Sequence, residues 1–326
     1  MVRPSTHALA RVAQDEEGDC RQRGNHLILS RRASGESKDA VTRSNRYRLN
    51  AALVVAAGLL LTPASGFAGS TVDDWGRALT PTGGPAHIIG SPANGCIAGA
   101  ARLPPDGIGY QAIRLSRHRN FGHPATIAFI QRLGKAASAV GLAPFYVGDM
   151  AQPRGGPMTS GHAAHENGVD VDVWFNLDPK PDLAPAARED VELPSMVLPD
   201  KSDIDRARFG ERQVRLLRLA AGDPRVDRIF VHPTIKRALC QGVGGAGDGD
   251  RGWLHKIRPW YGHDEHFHVR LACPAGSPDC VGQSPVPPGD GCDASLDWWF
   301  EPHEAPTKPP APRPPLPAAC KAVLSR

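Results

Sequence analysis

No stretch of this chain is apolar for long enough to cross a membrane. The run from Ala51 to Leu61 falls well short of the ~20 residues a spanning helix needs. No Cys-x2-Cys pair occurs, which removes the usual thiolate framework of a structural zinc site. Excess charge is missing as well. The formal net charge is +4, but residues 1–68 hold ten Lys and Arg against six Asp and Glu and so account for all of it, leaving twenty-eight of each sign in the remainder. A nucleic-acid partner would require a basic patch or stripe, and the composition supplies none. Internal repeats and a regular βαβ rhythm are also absent, which argues against a solenoid or a doubly wound sheet.

What is present begins with an export signal. Arg43, Arg46 and Arg48 precede the Ala51–Leu61 run, and small residues follow it up to Ala68. A basic segment, a short apolar segment and small residues at a cut describe a secretory signal peptide. Residues 1–68 are therefore expected to be leader and signal, with the mature protein starting near Gly69 in the periplasm and no membrane span remaining. Of seven cysteines, Cys20 falls in the leader. Cys96, Cys240, Cys273, Cys280, Cys292 and Cys320 remain, an even number that favours disulfides in an exported chain, with fifteen possible pairings.

Gly69 to Pro105, rich in Gly and Pro, reads as an irregular lead-in tied down at Cys96. Pro124 to Val140 places Pro first and spaces apolar residues at three and four, as an amphipathic helix does. Glu211 to Ala221 predicts a second helix. Phe145 to Val147, Val169 to Phe175, Val226 to Val231 and His266 to Leu271 predict strands. VDVDVWF alternates apolar and acidic residues, which suggests one buried face. A proline-rich tail over residues 301–326 closes the chain. These elements intermix irregularly, so the fold expected over residues 69–300 is α+β. It would be one domain with a small antiparallel sheet flanked by helices and long disulfide-tied loops.

Chemistry concentrates in two places. HDEHFHVRLACP puts His263, His266 and His268 within six residues, and on a strand His266 and His268 share a face because the side-chain period is two. GHAAHENGVDVDVW, nearly a hundred residues earlier, offers His162 and His165 before the glycine break at Gly168, then Asp170 and Asp172 on one strand face. An acid on the inner face of an apolar strand is costly unless it is paired or holds a metal. A hydrolytic zinc needs three protein ligands and an open position, and each region offers half of a His/Asp/His set. Against this, isolated loop histidines are commonly surface residues, and the acids could simply face water. His7, His26, His87, His118, His123, His232, His255 and His303 read as structural or surface residues.

Taken together, GDMAQPRGGPMTSGHAAHENGVDVDVWF, IFVHPTIKRALC and GHDEHFHVRLACPAGSPDC strongly resemble the penicillin-insensitive murein endopeptidases, within the zinc peptidases that include D-alanyl-D-alanine peptidases. YQAIRLSRHRNFGHP is similar too, so the resemblance spans about Cys96 to Cys292. It implies His165, Asp172 and His268 as ligands of a catalytic Zn2+, His266 as base or transition-state stabiliser, and His263 nearby in the cleft. His162 matches a residue that in the family belongs to a second zinc at a homodimer interface. The stretch after Leu193 departs from that pattern, which leaves the second site and the dimer open. The family also implies the disulfides Cys273–Cys280, Cys240–Cys292 and Cys96–Cys320.

The function implied is zinc-dependent hydrolysis of D-alanyl-meso-diaminopimelyl cross-links between peptidoglycan stem peptides. Water attacks directly, so no Ser-x-x-Lys nucleophile is needed and β-lactams should have no effect. Arg154 and Arg270 are candidates for a substrate carboxylate. A D,D-carboxypeptidase or dipeptidase could use the same zinc site. A non-catalytic wall-binding protein would be expected to have lost a ligand, and zinc storage would not require Asp172.

Overall fold

The computed structural model describes residues 71–159, 162–247, 249–303 and 313–326. The expected signal peptide and its expected cut after Ala68, with His7 and His26, lie outside the described residues. In chain order the structure runs α1 (Val72–Arg77), β1 (His87–Ser91), β2 (Asn94–Ala98), β3 (Ala101–Arg102), β4 (Asp106–Gly107), β5 (Tyr110–Ala112) and β6 (Phe121–Gly122). It continues through α2 (Pro124–Ala139), β7 (Phe145–Val147), β8 (Asp170–Trp174), α3 (Glu211–Gly222), β9 (Val226–Val231) and α4 (Pro233–Cys240). It ends with β10 (Ile257–Pro259), β11 (His266–Leu271), α5 (Ala294–Asp297) and α6 (Ala318–Ser325).

Seven strands form the central sheet in the order β10-β9-β11-β8-β7-β5-β4. The pairings around β8 and β11 are antiparallel, and β9–β10 and β5–β7 are parallel. The architecture is thus a single α+β domain with antiparallel pairing at its heart and loops tied by disulfides. Val171 and Val173 of β8 and Phe267 and Val269 of β11 are fully buried on one face. They join a core that takes in Ile130 and Leu133 of α2 and Leu216 and Leu217 of α3. Helix α2 starts where its residues dictate: Pro124 needs no backbone donor, and His123 Nδ1 accepts the Ala125 N–H at 3.1 Å.

Two expectations about burial need correcting. Strand β8 was expected to bury one face, yet all five of its residues are buried. The acidic face is covered by the loop before β8, which sets His165 Nε2 3.3 Å from Asp172 Oδ1. The Gly- and Pro-rich lead-in is also not irregular. From residue 71 onward it contains α1 and the β1–β2 hairpin, with Ile88, Cys96 and Ile97 fully buried. Its Pro92 falls in the turn of that hairpin, whose register closes at Ser91 opposite Asn94. There, turn-forming residues connect strands instead of replacing them.

Disulfides join Cys96 to Cys320, Cys240 to Cys292, and Cys273 to Cys280. The first brings α6 onto β2, and Asn94 Nδ2 donates to the Pro315 carbonyl at 3.1 Å in the same region. Among the described residues, no helix is long and apolar enough to cross a membrane.

Candidate metal centre

Strands β8 and β11 lie side by side with His268 opposite Asp172, Arg270 opposite Asp170, and His266 opposite Trp174. Alternation then brings Asp170, Asp172, His266, His268 and Arg270 onto one face, the one turned away from the valine core. The loop before β8 lies across that face. Gly168 has φ +84°, and a Cβ there would sit 2.9 Å from Ile97 Cδ1 and 3.0 Å from His123 N, so only glycine fits. Two fully buried side chains fasten this loop to the β1–β2 hairpin. Glu166 accepts the Gly95 N–H at 3.2 Å and pairs with Arg313, while Asn167 donates to the Gly90 carbonyl at 3.1 Å.

So held, the loop brings His165 to the strands. His165 Nε2 lies 3.1 Å from His268 Nδ1 and 3.3 Å from Asp172 Oδ1, and His268 Nδ1 lies 3.5 Å from Asp172 Oδ1. Tetrahedral zinc with bonds of ~2.0–2.2 Å would space its donors by roughly 3.3–3.6 Å. Two edges of the triangle fall in that range and the third, at 3.1 Å, lies about 0.2 Å short of it, so a small opening of the histidine pair would seat such an ion. Asp172 Oδ1 is buried without a hydrogen-bond partner, a costly state that a cation would relieve.

His162 reaches the same place from the other side of the loop. Its Nε2 lies 2.9 Å from Asp149 Oδ2 and its Nδ1 3.8 Å from Asp172 Oδ2. The donor atoms of His162, His165 and Asp172 all fall within 4.8 Å of one another, a His–His–Asp group that could hold a metal ion. Asp149 is also held by Arg119 at 2.9 Å and Arg117 at 3.2 Å. The His266 ring packs 4.9 Å from Trp174, with Nε2 3.7 Å from Asp172 Oδ1 and Nδ1 buried and unpartnered. His263 stands 5.1 Å from the His266 ring. Its Nδ1 is 3.0 Å from the Tyr261 carbonyl and 3.3 Å from that of Trp260, which assigns the proton to Nδ1.

The electrostatics suit both ligation and proton acceptance. Burial pushes His263, His266 and His268 down to about 4, so all three are neutral near pH 7. Burial also opposes charge on His165, but the Asp172, Asp170 and Asp149 carboxylates outweigh it and raise that histidine. Asp170 and Asp172 stay well below the usual carboxylate range despite burial. Arg270 and His268 hold the first there, and His165 and His266 the second.

The two arginines considered for a substrate carboxylate are engaged elsewhere. Arg154 donates to the Thr80 carbonyl at 3.1 Å and to backbone carbonyls of α6. Arg270 is buried and clamps Asp170 at 2.8 and 3.1 Å. Arg114 lies at the site instead, 5.2 Å from the Trp174 ring that packs on His266. Sequence reading missed Arg114, Trp174 and Asp149. Period-two alternation would not have found Asp149, since it groups that residue with Phe145 and Val147, which are core residues.

A family model described as penicillin-insensitive murein endopeptidase matches residues 88–325. Curated proteins with that name are similar over most of the chain. One from Haemophilus influenzae is 46% identical over 257 residues, covering 77% of this chain and 88% of that protein. One from Yersinia enterocolitica is 43% identical over 251 residues, with 77% and 90% covered. One from Klebsiella pneumoniae is 42% identical over 252 residues, also with 77% and 90% covered.

Proposed function

Because the chain belongs to the penicillin-insensitive murein endopeptidase family, we propose that it is a zinc-dependent endopeptidase that hydrolyses the D-alanyl-meso-diaminopimelyl cross-links of peptidoglycan. The observation that carries the metal is the triangle of His165, Asp172 and His268 donors at 3.1, 3.3 and 3.5 Å. Zinc, when bound, supplies Lewis acidity and lowers the pKa of water. His266 is the proton acceptor through Nε2, the ring atom nearest Asp172. His263 supports it from 5.1 Å away with its own proton committed to backbone carbonyls. Arg114 receives a carboxylate of the stem peptide beside Trp174.

The protein works in the periplasm, with residues 1–68 removed on export, residues 69–300 forming the peptidase domain and residues 301–326 a C-terminal tail whose α6 is fastened back onto that domain by Cys96–Cys320. Three disulfides support an oxidising compartment. His162, beside Asp149, belongs to the same site and is the residue through which a second zinc and a homodimer would be built.

The test is digestion of purified cross-linked muropeptide dimers with and without a chelator, followed by mass analysis. Monomers cut at the D-alanyl bond, lost on chelation, restored by Zn2+ and unaffected by a β-lactam are the expected result. Cleavage untouched by chelation would overturn the zinc reading, and release of terminal D-alanine alone would make the protein a carboxypeptidase.

A further inference from the structure

We propose that Asp170 is the positioning residue of the metal centre, a single carboxylate that sets both histidine ligands at once. The inference rests on the zinc reading above. Asp170 is completely buried, so its charge must be answered within the protein. Arg270 answers it with two nitrogens, Nε to Oδ1 at 2.8 Å and a terminal nitrogen to Oδ2 at 3.1 Å. Gln283 accepts a further hydrogen bond from Arg270 and fixes the fork from behind.

Each oxygen then has a second task. Oδ2 accepts the backbone N–H of His165 at 3.0 Å, at a residue whose φ of +69° is in the left-handed region that side chains other than glycine rarely adopt. Oδ1 stands 3.2 Å from Nε2 of His268, the ring atom opposite the one that faces His165 and Asp172, an electrostatic contact to a buried nitrogen that makes no aligned hydrogen bond. A carboxylate beside Nε2 favours the proton there and leaves the Nδ1 lone pair directed at the other two donors. Two ligands separated by 103 residues in sequence are thereby registered on one group. A carboxylate needed only to neutralise Arg270 would not have to contact either.

The rival role, a plain structural ion pair, predicts something different under substitution. Asp170→Asn removes the charge at nearly constant shape, and the charge-neutral double variant Asp170→Asn/Arg270→Gln avoids leaving a lone buried cation. Zinc affinity is read by competition with a chromophoric chelator, and coordination by the visible spectrum of the Co2+-substituted protein. Loss of a carboxylate behind a ligating histidine weakens metal binding ~10–100-fold. That loss is expected in the double variant with the wild-type circular dichroism retained, together with a shifted Co2+ spectrum. If Asp170→Asn alone fails to fold, the double variant still decides. A folded double variant that binds Zn2+ within about threefold of wild type, with an unchanged Co2+ spectrum, overturns the positioning role and leaves the zinc reading intact. A wild-type protein that binds no Zn2+ overturns both.

Discussion

Nε2 of His165 and Nδ1 of His268 are 3.1 Å apart, both beside the unpartnered Oδ1 of Asp172. Neutral imidazoles gain little from such an approach unless a proton or a cation lies between them.

His165→Ala, Asp172→Ala and His268→Ala should each reduce zinc occupancy measured by atomic absorption. His266→Ala should keep most of the metal and lose ~10²–10⁴-fold in turnover, the range for an acid–base residue. Near-normal zinc in the first three variants, or full turnover in the fourth, would reverse these assignments.

Arg114→Met should raise KM for cross-linked muropeptides about tenfold or more with a smaller change in kcat, since a hydrogen bond to a charged group contributes ~1.5–3 kcal/mol. Steady-state kinetics on a defined dimer would measure this. An unchanged KM would remove Arg114 from the substrate contacts.

His232 predicts an acid-sensitive stability. Burial, helped by Lys201 and Arg237 and opposed by Asp264, pushes it down to about 4, and its Nδ1 caps α4 by accepting the Thr234 N–H at 3.2 Å. An unfolded histidine takes up its proton near ~6.5. Between those values the unfolded chain binds more protons, so the contribution of His232 is whole above ~6.5 and is lost as pH falls towards 4. The melting temperature of wild type should therefore fall more steeply over that window than that of His232→Asn, whose amide oxygen can still cap the helix. Parallel curves would show that His232 is not responsible.

The Cys96–Cys320 bond closes a span of 224 residues between two fully buried sulfurs. Replacing both by Ala should cost ~2–5 kcal/mol in denaturant unfolding. Peptide mapping of unreduced protein should also recover Cys273 linked to Cys280. Free thiols at any of these positions would contradict the pairing.

Sequence and structure contributed different things. Period-two alternation in VDVDVW and HFHVRL was enough to put Asp170 with Asp172, and His266 with His268, on common strand faces, because that pattern is local and set by the pleat. Helix α2 was legible for the same reason, through its opening proline and its apolar spacing. The β1–β2 hairpin was not. Its glycines and prolines suit a loop as well as a turn, and only pairing partners along the chain decide between them.

What alternation cannot say is which acid meets which base. That Asp172 faces His268 while Asp170 faces Arg270 depends on the register between β8 and β11, and a one-residue slip of β11 would have sent His266, His268 and Arg270 into the valine core. The position of His165 depends on a left-handed residue and on Gly168 fitting against Ile97. Residue identity by itself determined the two half-sites and the chemistry they could share. Tertiary structure decided how the halves join, which arginines are consumed inside the fold and which one stays beside the site, because contacts between residues about a hundred positions apart are set by strand register and loop path, and no local pattern records them.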